Sequence, residues 1–129
     1  MLVIKLVAVA LGGSAGAVLR YTLSEWAQRR VQGNFPAGTL LVNVLGCLVI
    51  GALMSLVQAR QEALSANMRL FLSVGLLGSL TTFSTFGYQT FELAEAGEGA
   101  QALANVGANL ALGLAAVAGA RVVVLRLFG

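Results

Sequence analysis

The chain alternates long apolar runs with short polar breaks, and charged residues mark the boundaries. No charge falls between Lys5 and Arg20, between Arg30 and Arg60 (29 residues), between Arg69 and Glu92 (22) or between Glu98 and Arg121 (22). About 20 residues of α-helix cross a hydrocarbon core, so each run is long enough to span once Lys5 snorkels outward from the first. The pattern predicts four membrane-spanning helices, near 3–22, 38–59, 68–93 and 100–125, in one domain. The first run is not expected to be a cleaved signal peptide. Its apolar stretch continues through Gly12-Gly13-Ser14-Ala15-Gly16 to Arg20 and Tyr21, with no separate mature domain behind it.

The expected connections are short. Segment 23–37 holds Trp26, Arg29, Arg30 and the single proline, Pro36, placed where a helix would begin. Trp26 and Tyr21 suit a lipid–water interface. Segments 60–67 and 94–99 are polar, the latter carrying Glu95 and Glu98. Composition strengthens this picture. Hydrophobic residues make up 58% of the 129 and charged residues 10%, against roughly 25% charged in a soluble domain. The eight Lys and Arg behind the net charge of +3 sit at the ends of apolar runs rather than on one face. That placement fits lipid headgroups and not nucleic acid. Asp and His are absent and Cys47 is the one cysteine. A Ser-His-Asp triad, a His-ligated metal, a disulfide framework and a multi-cysteine zinc site are all excluded, so no enzyme is expected.

Four crossings put both termini on one side. That side carries Lys5, Arg60, Arg69, Arg121 and Arg126, and the other Arg20, Arg29 and Arg30. Five against three specifies orientation weakly. Either the chain inserts with a modest preference, or it inserts both ways, which permits an antiparallel dimer.

Polar groups inside a span must find partners or line water, so they are the informative positions. Gly12 and Gly16 form a GxxxG pair that reads as a packing seam. Arg20, one turn beyond, either snorkels to headgroups or raises the anion concentration at a pore mouth. Asn43, in an otherwise apolar second span, is either interhelical glue or a donor of two N–H groups to an anion. Cys47 reads as a small apolar residue. Gly75–Gly87 holds three Gly and five hydroxyls in thirteen residues, at the centre of the third span. Gly and Thr are poor helix formers in an element's interior, so a break near 78–82 is expected. It would free carbonyls that suit cations, while a half-helix starting near Thr82 would offer N–H groups that suit anions. Phe83 and Phe86 share a face, and Ser84 and Thr85 point elsewhere as hydroxyl donors. Asn105, Asn109 and Gly113 form one stripe of the fourth span, a packing seam or a pore lining. No span has a central acidic residue; Glu92 and Glu98 lie at the rim. A proton-coupled transporter needs an intramembrane carboxylate, and a small multidrug-type exporter needs one in span 1. Passive movement of a species that is not positively charged fits better. A subunit that merely packs would explain the glycine seams but not the polar third span.

These pieces together resemble the small fluoride channels of the Fluc (CrcB) family. The matching residues are Gly12-Gly13-Ser14-Ala15-Gly16-Ala17-Val18-Leu19-Arg20-Tyr21, Gly38-Thr39-Leu40-Leu41-Val42-Asn43-Val44-Leu45-Gly46 and Gly75-Leu76-Leu77-Gly78-Ser79-Leu80-Thr81-Thr82-Phe83-Ser84-Thr85-Phe86. The resemblance implies an all-α integral membrane protein of four spans with a broken third helix, assembled as an antiparallel, dual-topology homodimer in the cell (inner) membrane. It implies two pores that export fluoride, and a structural Na+ at the dimer centre held by the backbone carbonyls of Gly78 and Thr81. Asn43 would line the pore, Phe83 and Phe86 would turn ring edges to the ion, Ser84 and Thr85 would form a hydroxyl track, and Arg20 would be the vestibule charge. The match loosens in span 4, where some relatives carry Tyr and Ser in place of Asn105 and Asn109; a pore role for these two rests on their hydrogen-bonding capacity.

Overall fold

A computed structural model describes every residue, Met1–Gly129, and turns the apolar runs into helices with no strand. Helix α1 is Leu2–Gln28, α2 is Ala37–Ala59 and α6 is Gly99–Phe128. The third run comprises a one-turn α3 (Ala66–Arg69), a π-helical segment Leu70–Leu77, a short α4 (Gly78–Leu80) and α5 (Phe83–Glu95). Four runs are long and apolar enough to cross a membrane: Leu2–Gln28, Ala37–Ala59, Ala66–Glu95 and Gly99–Phe128.

Helix α1 continues past the expected end near residue 22, so the start of the 23–37 connection is helical. Neither Gly nor Pro interrupts the chain there before Gly33. Glu25 also meets Arg29 one turn on at 3.5 Å, and the Arg30 guanidinium lies 3.9 Å above the Trp26 ring. Gly33, at φ +95°, then reverses the chain, which an L side chain resists. Gln28 ties the turn down by donating to the Phe35 carbonyl (3.0 Å) and accepting from the Gly38 N–H (3.2 Å). Pro36 stands one residue ahead of α2, and its carbonyl takes the Leu40 N–H at 3.1 Å. A proline fits there because it has no N–H to leave orphaned. At the same end, Asn34 donates to Glu98 at 2.9 Å, joining the α1–α2 turn to the start of α6.

α2 lies mainly along α6, and α1 along the π-helical segment. Glycine permits both approaches. Gly12 and Gly16 of α1 face the backbone of Phe71, Gly75 and Leu76, and a Cβ added to Gly75 would stand 2.7 Å from the Val9 carbonyl oxygen. On α2, a Cβ at Gly51 would stand 2.8 Å from the Val117 carbonyl oxygen of α6. The GxxxG pair is therefore a packing seam, and its partner is the π-helical segment. An eight-residue π run is long for a form that mostly occurs as single turns. Only 19 of 129 residues are buried, with Val42, Leu77 and Leu80 as a small apolar cluster. Nearly all Leu, Val and Phe side chains are exposed or half-buried, which lipid tolerates as readily as a protein interior does.

Gly16→Val should lower the unfolding free energy by about 3 kcal/mol, since the added carbons meet backbone that cannot yield. Gly119→Ala, with open space around its Cα, should change it by less than about 1 kcal/mol. Thermal unfolding in detergent separates the two, and equal midpoints would contradict the seam.

Candidate functional site

Thr81 and Thr82, between α4 and α5, are extended: φ −86°, ψ 156° and φ −150°, ψ 115°. β-Branching and a hydroxyl that bonds locally make Thr comfortable outside a helix. Thr82 caps α5, its Oγ1 accepting from the Thr85 N–H at 3.2 Å. Its own peptide needs partners, because an unsatisfied backbone group in hydrocarbon costs several kcal/mol. Asn43 of α2 supplies them. Its Oδ1 accepts from the Thr82 N–H at 2.9 Å, and its Nδ2 donates to the Thr82 carbonyl at 3.3 Å. An amide is a neutral side chain that both accepts and donates across so short a span. Gly46, one turn along α2, leaves room for the Thr81 methyl, which a Cβ there would strike.

This pairing alters the carbonyls before it. In an α-helix the Gly78 carbonyl would accept from the Thr82 N–H and the Thr81 carbonyl from the Thr85 N–H. Here those donors go to Asn43 and to the Thr82 hydroxyl. Gly78 is exposed on the protomer surface and Thr81 is half-buried. Two carbonyls without their helical donors, in a setting with no added negative charge, fit a hard monovalent cation.

Two cavities share Thr82. One, of about 410 Å³, is bordered by Asn43, Cys47, Thr81, Phe83, Phe86 and Asn109 among others. The second, of about 220 Å³, is bordered by Arg20, Ser24, Glu25, Thr39 and Thr85 among others. Of the residues singled out by sequence, Asn43, Phe83, Phe86 and Asn109 thus meet at the first cavity, and Arg20 and Thr85 at the second. The Phe rings are tilted by 52° with centroids 5.6 Å apart, Phe83 being 82% exposed. Thr85 Oγ1 accepts from the Thr82 hydroxyl at 3.0 Å, which leaves its own hydrogen for a guest. Arg20 makes no ion pair; the one ion pair in the protein joins Arg29 and Glu25.

Ser84 and Asn105 border neither cavity. Ser84 faces outward, and Asn105 has 0% exposure. Asn43 borders its cavity with its donors already engaged, one N–H going to Thr82 and the other to Asn109 Oδ1 at 2.9 Å. Residues that sequence reasoning passed over are Thr82 as the shared wall and Thr39, a buried hydroxyl donating to Gln89 Oε1 at 2.7 Å. A hydroxyl in the first turn of an apolar span was the available signal for Thr39.

The helices and cavities define a multi-pass membrane protein with a polar interior. The family model described as CrcB-like protein, Camphor Resistance (CrcB), matches residues 7–120. A protein of Clostridium novyi named fluoride-specific ion channel FluC is 43% identical over 84% of this chain and 84% of its own length. Relatives bearing the same name match in Chloroflexus aurantiacus (45% identical over 88% of this chain and 89% of that protein) and Rhizobium etli (46% over 84% and 86%). The chain belongs to the CrcB family, which is a family of ion channels and not of enzymes.

Asn43→Leu strips the Thr82 N–H and carbonyl of their partner and should destabilise the fold by about 2–6 kcal/mol, at 1–3 kcal/mol per orphaned group. Cys47→Ala, in the same cavity wall, should cost less than about 2 kcal/mol, because it removes one partly exposed sulfur. Thermal unfolding in detergent measures both, and an Asn43→Leu midpoint equal to the parent's would contradict the bracket.

Proposed function

We propose that this chain is a fluoride-specific passive channel of the cell (inner) membrane. The observation that carries the reading is Thr82, a wall common to an Arg20-containing cavity and a Phe-lined one, in a chain whose relatives are named fluoride-specific ion channels. The third crossing is read as a membrane helix interrupted at Thr81-Thr82, with the ion passing along the interruption.

Fluoride is small and tightly hydrated, so its path must replace water with donors. The Thr85 hydroxyl hydrogen is available at one cavity. Phe83 and Phe86 border the other, where ring edges turned to the path would attract an anion through the quadrupole. Conduction requires sites that bind and also release. Arg20 serves this by standing in the outer cavity, raising local anion concentration without gripping the ion at the narrowest stretch. No carboxylate lies in the middle of a span, which favours downhill movement over proton-coupled exchange. The neutral acid enters a cell from acidic surroundings and dissociates inside, so a passive exit lowers internal fluoride and its toxicity.

The assembly is read as an antiparallel homodimer with two paths. Non-helical backbone at membrane depth is tolerated only when protein covers it or it lines a cavity. The half-buried, extended Thr81 and the exposed Gly78 carbonyl, which lacks its helical donor, require such a cover, and a second copy supplies it. The carbonyls of Gly78 and Thr81 are the residues that would hold Na+, which neutralises converging carbonyl dipoles at the seam between protomers.

Liposomes loaded with fluoride and reconstituted with the protein should release it when a potassium ionophore balances charge, as followed by a fluoride electrode. Release no faster than from empty vesicles would contradict the channel. Phe86→Ile should slow release by about twofold to tenfold, the loss of one favourable ring contact, with dimers intact by cross-linking. Replacing sodium with N-methylglucamine on both sides should also slow release, and undiminished flux would contradict the cation site.

A further inference from the structure

Three side-chain amides and one hydroxyl form a single chain of hydrogen bonds that all run one way. The Thr82 N–H donates to Asn43 Oδ1 (2.9 Å), Asn43 Nδ2 to Asn109 Oδ1 (2.9 Å) and Asn109 Nδ2 to Asn105 Oδ1 (3.0 Å). Asn105 Nδ2 donates to Thr90 Oγ1 (2.8 Å), and the Thr90 hydroxyl donates to the Phe86 carbonyl (2.7 Å). Both ends are backbone groups whose roles cannot be inverted. An N–H only donates and a carbonyl only accepts, so the orientation of every amide between them is determined. The chain leaves α5 at its cap, crosses α2 and α6, and returns to α5. Its two remote members do not meet the cavities: Asn105 is fully buried, and Thr90 borders neither.

We propose that Thr90 and Asn105 are positioning residues that hold Asn109, and through it Asn43, in the orientation that keeps Thr82 extended between the two cavities. This rests on the reading of Thr82 as part of a fluoride path. Without the Thr90 hydroxyl, Asn105 Nδ2 loses its acceptor, and only the bond from Asn109 Nδ2 to Asn105 Oδ1 still opposes a reversal of that amide. A reversed Asn105 turns its N–H groups against those of Asn109. Asn109 then either reverses as well, taking its acceptor away from Asn43, or keeps only its bond to the Asn105 main-chain carbonyl (3.0 Å) and leaves its other N–H unmatched. Asn43 cannot follow, because its oxygen is held by the Thr82 N–H. The mismatch therefore collects at the Asn43–Asn109 contact, one amide away from the Thr82 peptide. In a low-dielectric interior each bond of such a chain also polarises the next, so removing one weakens its neighbours. Asn105 thus affects the path without touching the ion, whereas a pore-lining residue would contact it.

The test uses the full-length protein in liposomes, with Thr90→Val (same shape, no hydroxyl), Thr90→Ser (hydroxyl kept), Asn105→Leu and the Thr90→Val/Asn105→Leu double variant. Fluoride release is followed together with hydrogen exchange, by mass spectrometry, in peptides that contain Thr82. Thr90→Val and Asn105→Leu should each slow release about fivefold to tenfold, the effect of one lost hydrogen bond, and should speed exchange at Thr82. Thr90→Ser should stay within about twofold of the parent on both readouts, and the double variant should be no slower than the slower single, as members of one network are non-additive. Exchange and release unchanged in Thr90→Val would overturn the proposal. So would a Thr90→Ser variant as slow as Thr90→Val, or single effects that multiply in the double. If the parent protein releases no fluoride, the channel reading falls. Exchange at Thr82 then decides the positioning role alone, supporting it if faster in Thr90→Val but not Thr90→Ser, and overturning it otherwise.

Discussion

The structure depends on one hydrogen-bonded pairing, the Asn43 amide against the Thr82 peptide. Two extended residues in an apolar crossing would leave polar backbone in hydrocarbon, a penalty of several kcal/mol per group. A side chain that accepts at 2.9 Å and donates at 3.3 Å removes most of that penalty. Once it is removed, the extended pair becomes a place where donors, carbonyls and ring edges can be arranged independently of helical geometry. The glycine contacts of α1 with the π-helical segment serve the same end, because they set where the third crossing stands relative to α2.

The division of labour within this small site follows from charge and burial. Hydroxyl, amide and phenyl side chains border the cavities near Thr82, and the one cation among them, Arg20, belongs to the second cavity. Neutral donors hold an anion more weakly than a guanidinium does, and weak multiple contacts are what a conducting path requires. Asn43 has a different part from that of a free donor. Its hydrogen bonds are made within the protein, so in the proposed path it shapes the wall and leaves contact with the ion to other groups.

Much of the architecture was legible from charge placement. Gaps between charges located the four helical runs, because a charge inside a lipid-facing helix is expensive. The end of α1 was misjudged, since residues 23–28 are polar yet remain helical through local pairs such as Glu25–Arg29. The π-helical form of Leu70–Leu77 was not legible, as a π turn and an α turn use the same apolar residues. The site divided in the same way. Gly78–Thr82 stood out by its glycines and hydroxyls, but the partner of Thr82 lies 39 residues away in the chain, which no local pattern reveals. Ser84 and Thr85 were read together as a hydroxyl track. Neighbours on a helix point about 100° apart, and only Thr85 borders a cavity. Asn105 and Asn109 share a stripe, yet one is sealed in against Thr90 and the other reaches the cavity beside Asn43, a difference set by their positions one turn apart along α6.

The most direct test of the central pairing is a solid-state NMR distance measurement in lipid bilayers, with ¹⁵N in the threonine amides and ¹³C in asparagine side chains and glycine carbonyls. The account predicts a hydrogen-bond-range contact from the Thr82 nitrogen to the Asn43 side-chain carbonyl carbon, lost in Asn43→Leu. A Thr82 nitrogen that instead contacts the Gly78 carbonyl carbon, as in an unbroken helix, would contradict it.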